Sequence, residues 1–409
     1  MKNYWFALKS HIYVELKTKF TLLYDTVSGE RIESDLEEGN ALIRQMYEPL
    51  NLGVVSVNET MFTHSPLKEW IEEILKRNMG DLTDEADLAQ KPVRLIPILN
   101  LQKDIDKFKE NENSLLFFEK DVSKYLLELN IYVNDVCDKA CPHCDLLCKQ
   151  THCCTATQTY HTELSLQHLQ TVFQQLQYWP IHTINILGGD VLHYSQLEQL
   201  EELACQYMKE LHYYLHYKNY QLHSPLETQK IELIVTFPVD EMQFEKVYTS
   251  IHLENTRFHF LIEDEAQYIQ AEKLIEGLKI EAFDLTPIFT GANMSFFEEN
   301  VYVDKDDIFF KIFQIREIFR NKKLNSNFFG MLHLLPHGEI KANMNTRTIG
   351  NIKEDELVDI IQKELIQNTA WRKIRDSHPC NECIYQFICA SPSNYEEIIG
   401  RNNLCHIDI

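Results

Sequence analysis

No run of 18 apolar residues occurs in this 409-residue chain, so no segment is expected to cross a membrane as a helix. Positive charge is scarce: 39 lysines and arginines stand against 62 acidic residues, for a formal net charge of -23. Such a chain repels phosphate backbones, which excludes nucleic acid as an expected partner, whereas a cationic, lysine-bearing peptide would be attracted. Solubility alone also accounts for the charge. No internal repeat, low-complexity segment or secretory signal is read, so a chain of two or three ordinary domains with a cytoplasmic location is expected. In that setting the 11 cysteines are expected to serve metal or catalytic sites rather than a disulfide framework.

The cysteines are clustered. Cys137, Cys141 and Cys144 form a CxxxCxxC triad just past an apolar segment, Leu126 to Val133, which reads as a buried strand. Thiolates are the ligands of iron-sulfur clusters, and three of them leave one iron open for a substrate or cofactor. Zinc is the competing reading, with His143 or His152 as a fourth ligand. A loop at a strand's C-terminal end is where α/β sheets place their chemistry. A second strand, Thr183 to Leu187, is followed by Gly188-Gly189-Asp190. The glycines permit close backbone approach to a ligand and the carboxylate can accept from an ammonium, although an ordinary turn uses the same residues.

These features resemble the radical S-adenosylmethionine enzymes. The triad is similar to the family's cluster motif, with His143 in the usually aromatic slot before the last cysteine. Gly188-Gly189-Asp190 stands where the family usually carries Gly-Gly-Glu, so Asp190 shortens that contact by one methylene. The resemblance implies a 4Fe-4S cluster on the triad, S-adenosyl-L-methionine bound by His143, Gly188, Gly189 and Asp190, and an electron donor such as flavodoxin or ferredoxin.

A second array, Cys380, Cys383 and Cys389, is followed by Cys405. Four thiolates make a closed site for either zinc or a cubane. Alongside the triad, the array looks like the SPASM extension of radical enzymes that modify peptides and proteins. The stretch from Pro379 to Glu396 is similar to a Bacteroidales-type peptide-maturase group that includes pseudo-radical members lacking the first triad. The full pattern has seven cysteines and two auxiliary clusters, but Ser393 and Asn343 occupy two positions where cysteines are expected. The resemblance therefore implies one auxiliary 4Fe-4S cluster, on Cys380, Cys383, Cys389 and Cys405, for electron transfer or structure.

Between the two arrays the pattern alternates. Thr162 to Trp179, Tyr194 to Tyr214 and Ala266 to Leu278 read as helices, and Ile231 to Thr236, Phe258 to Ile262 and Ile280 to Leu285 as strands, which implies parallel pairing with crossovers. By resemblance, the α/β fold expected is a partial (β/α) TIM-like barrel of five or six strands over residues 121-325. Met331 to Leu335 and Glu339 to Met344 flank Pro336-His337-Gly338 as a hairpin opening a SPASM-like domain over 326-409. Residues 1-120 begin with short strands, Trp5 to Leu8, Ile12 to Leu16 and Phe20 to Tyr24. A helix follows, started by Ser65-Pro66 and carrying Leu67, Ile71, Ile74 and Leu75 on one face. This looks like a winged-helix leader-recognition element of enzymes that modify ribosomally made peptides (RiPPs), in which the leader adds as a strand to a sheet edge. An ordinary structural lid is the alternative.

The resemblance implies an oxidoreductase that cleaves S-adenosylmethionine to a 5'-deoxyadenosyl radical and removes hydrogen from a precursor peptide. The outcome is a crosslink, a thioether or an epimerised residue. Epimerisation needs a hydrogen donor, for which Cys153 and Cys154 are the candidates, with Cys148 and Cys205 also unassigned. A catalytically silent peptide-binding partner and a sulfatase-type maturase are the competing readings.

Overall fold

In the strand Glu128–Tyr132 (β7), successive side chains alternate between faces. Leu129 and Ile131 enter an apolar core while Glu128, Asn130 and Tyr132 turn to the other side. The same split recurs along Thr183–Leu187 (β8), Leu211–His216 (β9), Lys230–Thr236 (β10), Thr256–Ile262 (β11) and Phe283–Pro287 (β12). The computed structural model describes residues 2–62, 65–94, 122–139, 141–153, 162–221 and 225–407. It joins β7 to β12 as six parallel strands in sequential order. No strand order reverses within these six, so the sheet winds in one direction, as a barrel wall does and a doubly wound sheet does not.

Helices Leu166–Leu176, Leu197–Gln206 and Glu241–Ser250 pack Leu169, Phe173, Leu200 and Phe244 onto the apolar face. The first of these helices starts where Ser165 accepts from His168 N–H, a side-chain cap on an otherwise unpaired donor. The stretch expected as one helix from Tyr194 to Tyr214 is instead a helix ending at Gln206 and then β9. Leu200, Leu203, Tyr207, Leu211 and Tyr214 keep helical spacing across the break, which hides it. The break itself is a left-handed residue, Met208, at φ 54.

Met331–Leu334 (β13) and Glu339–Lys341 (β14) form the expected antiparallel hairpin, extended by Gly350–Asn351 (β15). β13 also pairs in parallel with β7, so the hairpin continues the six-stranded sheet into nine strands. Trp371 is fully buried beneath this junction and donates its indole N–H to the Met331 carbonyl at 2.8 Å.

The N-terminal residues form two three-stranded antiparallel sheets rather than one. Asn3–Leu8 (β1) lies between Val54–Asn58 (β5) and Gly80–Asp84 (β6), while Ile12–Leu16 (β2), Thr21–Asp25 (β3) and Arg31–Ser34 (β4) form a meander. Helix Pro66–Lys76 is capped by Ser65, as expected, and buries Leu67, Ile71 and Ile74. The meander docks on the C-terminal cysteine region: Tyr13, Leu22 and Tyr24 share an apolar cluster with Ile308, Phe313, Tyr385 and Ile388. Tyr24 accepts from Phe313 N–H at 2.8 Å, and Lys305 pairs with Glu33 at 2.6 Å. Among the described residues no helix is long and apolar enough to cross a membrane.

Candidate cluster and cofactor site

The ends of β7 and β8 are stitched together by Asn134. Its side chain accepts from Gly189 N–H at 2.9 Å and donates to the Asp190 carbonyl at 2.8 Å, and its own carbonyl accepts from Gly189 at 3.0 Å. A Cβ on Gly188 would lie 2.5 Å from Asn134 Oδ1, and one on Gly189 would lie 2.1 Å from the Val136 carbonyl. Both glycines are therefore demanded by the segment leading into Cys137, a closer reason than approach to a ligand. Asp190 is 4% exposed. Its carboxylate accepts from Leu192 N–H at 3.1 Å and lies 2.7 Å from His193 Nδ1, so its orientation is set before any cofactor arrives.

Gly189→Ala is expected to destabilise the protein by more than ~3 kcal/mol, because the clash is with backbone that cannot swing away. Gly277→Ala is the control: a Cβ there meets nothing within 4 Å, and alanine in a helix gains roughly 0.5–1 kcal/mol over glycine. Urea unfolding of the two variants beside wild type measures the contrast.

Cys137, Cys141 and Cys144 follow on the same loop. Burial pushes the Cys141 thiol up to about 11, aided by the neighbouring thiols of Cys153, Cys144 and Cys137. His143, in a left-handed conformation at φ 55, turns the chain into the short helix Cys144–Gln150. Cys153 is buried with Leu147, Ile234, Leu261 and Ile288, beside Cys144. Cys154 lies outside the described residues, and Cys205 is exposed on helix Leu197–Gln206.

In the second array, N–H groups point at sulfur. Arg375 Nη1 is 3.8 Å from Cys380 Sγ, Tyr385 N–H is 3.4 Å from Cys383 Sγ, and Asn403 Nδ2 is 3.3 Å from Cys405 Sγ. Burial pushes the Cys383 thiol up to about 11, whereas the Arg375 guanidinium opposes burial at Cys380 and Cys389. Among the described residues no three His, Cys, Asp or Glu side chains are grouped so that they could hold a metal ion. The donor chemistry nonetheless fits the group: clustered thiols with amide and guanidinium donors aimed at them are what a thiolate-bound cluster requires.

No protein-family model matches the chain, and no curated protein matches it in sequence. Solved structures similar to it include Streptococcus suis SuiB bound to S-adenosylmethionine, at 16% identity over 97% of each chain and a TM-score of 0.49. SuiB bound to precursor peptide SuiA matches at 15% identity over 98% of each chain, with a TM-score of 0.48. Native anSMEcpe with bound AdoMet matches 67% of this chain and 96% of its own at 9% identity, with a TM-score of 0.42. Identities this low leave the role of each residue to be read from its own surroundings.

Those surroundings include a polar row that the motif reading passed over. On the non-core face of the sheet, Glu128 pairs with His152 at 2.8 Å and accepts from Asn185 at 3.1 Å, and Asn185 also donates to Asn130 at 2.7 Å. Glu232 lies 3.0 Å from His212 and 2.7 Å from His259. Although burial opposes it, hydrogen bonds from these two histidines hold the Glu232 carboxyl down at about 2. Tyr214 lies between His152 and His259, tilted against the first at 5.2 Å and stacked on the second at 5.7 Å. The alternation Glu128-x-Asn130-x-Tyr132 and His212-x-Tyr214-x-His216 carries the signal, but in β9 the helical spacing through Tyr207, Leu211 and Tyr214 masks it.

Proposed function

We propose that the protein is a radical S-adenosylmethionine enzyme that modifies a ribosomally made peptide. The observation that carries this reading is the Asn134 stitch. It ties the backbone of Gly188-Gly189-Asp190 to the segment entering the Cys137, Cys141 and Cys144 loop. Cluster ligands and cofactor contacts thus belong to one rigid corner, as a reaction needing close placement demands.

In this reading the triad holds one 4Fe-4S cluster, and Cys380, Cys383, Cys389 and Cys405 hold a second. When bound, the first cluster supplies the electron that splits S-adenosylmethionine into methionine and a 5'-deoxyadenosyl radical. Asp190, held by Leu192 N–H and His193, accepts from the cofactor's ammonium. Gly188 and Gly189, packed against Asn134 and Val136, hold Asp190 in that position. Leu147, Ile234, Leu261 and Ile288 wall the Cys144 side of the triad with apolar surface and exclude water there. Residues 1-120 receive the peptide's leader, and residues 326-409 carry the second cluster. The packing of β2–β4 against Tyr385 and Ile388, beside Cys383 and Cys389, supports this arrangement.

The test is chemical. Anaerobically prepared protein is expected to hold about eight irons and matching sulfide per chain. After reduction with dithionite it should convert S-adenosylmethionine to methionine and 5'-deoxyadenosine. Zinc without iron, or iron without cleavage even with a precursor peptide present, would overturn the reading.

A further inference from the structure

Beyond the helix Cys144–Gln150 lies a cavity of ≈ 240 Å³ that none of the cluster or cofactor assignments uses. Its wall brings together Cys148, Thr151 and His152 from the triad side, His333 from β13, and Asn343 and Ser393. The last two are the residues that stand where further cysteines were expected, and they meet here although 50 positions apart in sequence. Not one Asp, Glu, Lys or Arg lines the cavity among the described residues.

His333 singles this cavity out. It is 6% exposed, and burial drives its imidazole down to about 3, so it is neutral. Tyr132 and His152 flank it at ring distances of 6.1 and 6.4 Å. A neutral imidazole has one donor and one acceptor nitrogen, yet His333 Nδ1 has no hydrogen-bond partner among the described residues. Buried polar groups are nearly always satisfied, so this exception on the wall of an uncharged cavity points to a missing occupant.

The three amide side chains next to it are already committed. Asn343 donates to Asn394 at 2.7 Å, Asn394 donates to the Gln150 carbonyl at 3.3 Å, and Gln150 donates to the Phe289 carbonyl at 2.8 Å. They shape the wall and leave recognition to His333 and the Thr151 hydroxyl at the rim. His152 is oriented from behind by Glu128 at 2.8 Å. Cys148 is four residues beyond Cys144 on the same helix, a rise of about 6 Å, so the cavity opens close to the triad.

We propose that this cavity seats an uncharged, hydrogen-bonding side chain of the peptide substrate, a carboxamide or a hydroxyl, with His333 as its partner. The proposal rests on the reading that the protein acts on a peptide. A charged side chain would be desolvated there without a counter-ion, and a purely apolar one would leave His333 unmet.

The probes are N-acetylglutaminamide and N-acetyltyrosinamide, with N-acetyllysinamide and N-acetylleucinamide as controls. Binding to the full chain is read by saturation-transfer NMR and titration. The two uncharged polar probes should bind and compete with one another, and their affinity should fall about tenfold in His333→Leu. Thr151→Trp, which fills the cavity from its rim and leaves His333 in place, should abolish binding and decides the matter should His333→Leu fail to fold. Equal binding to wild type and Thr151→Trp, preference for the lysine or leucine probe, or no binding by any probe would overturn the proposal. Cleavage of S-adenosylmethionine by the wild-type protein is scored separately. Its absence would overturn the enzymatic reading without altering what the probes say about the cavity.

Discussion

Replacing Cys137, Cys141 and Cys144 together with alanine should lower iron from about eight to about four atoms per chain and reduce S-adenosylmethionine cleavage to background. The structure makes this test clean. The triad lies on a loop whose anchoring runs through Asn134, Gly188 and Gly189, none of which the replacement touches. The variant should therefore keep its fold and its second set of thiols. Retained cleavage would show that the three thiols do not serve the cofactor, and loss of all iron would show that the two arrays are not independent. Cys153→Ala is the companion. Cys153 is buried beside Cys144 in an apolar cluster, so this variant should keep both iron and cleavage, while a role in hydrogen donation would appear only in the peptide product.

Arg375→Leu should be the most damaging single change away from the triad. Arg375 is 8% exposed and Glu396 is 7% exposed, and they pair at 2.7 Å. Arg375 also reaches the Ala390 and Asn402 carbonyls and Cys380 Sγ. Removing one partner of a buried pair leaves the other charge uncompensated, at a cost of about 3–5 kcal/mol. At 2–4 °C per kcal/mol this is a fall of roughly 10 °C in Tm. A second readout separates structure from cluster support. If the guanidinium stabilises thiolate-bound iron, Arg375→Leu should also lose iron under mild chelation, whereas Arg375→Lys should recover part of the iron retention and little of the two-pronged pairing. A Tm change with unchanged iron retention would leave Arg375 a purely structural residue.

The sequence revealed local features well. Strand β8 matches its expected bounds, Thr183 to Leu187, because a short β-branched run ending in two glycines has few other conformations open to it. The Ser65 cap and the hairpin around Gly338 follow from chemistry within a few residues. What escaped notice depended on distance. β9 was lost because its side chains continue the spacing of the helix before it, and with it went His212 and Tyr214. His333 and His152, 181 positions apart, become neighbours only once β13 lies against β7. Ser393 read as a missing ligand. In the structure it caps helix Asn394–Ile399 in a reciprocal pair with Glu396, which in turn holds Arg375 against Cys380. The residue that departs from the expected cysteine pattern thus braces one of the cysteines that fits it.

The pairing of β13 with β7 also bears on how the chain can be assembled and cut. β7 is the first strand of the six, and its outer edge is covered by residues about 200 positions later. Until the ribosome has delivered Met331 to Leu334, that edge presents free N–H and C=O groups, the kind of template on which strands of other chains add. Closure over so long a loop is entropically slow, so a growing chain spends time with that edge open. A fragment stopped at residue 325 would keep all six parallel strands and still be expected to precipitate, for want of the short strand that shields the first.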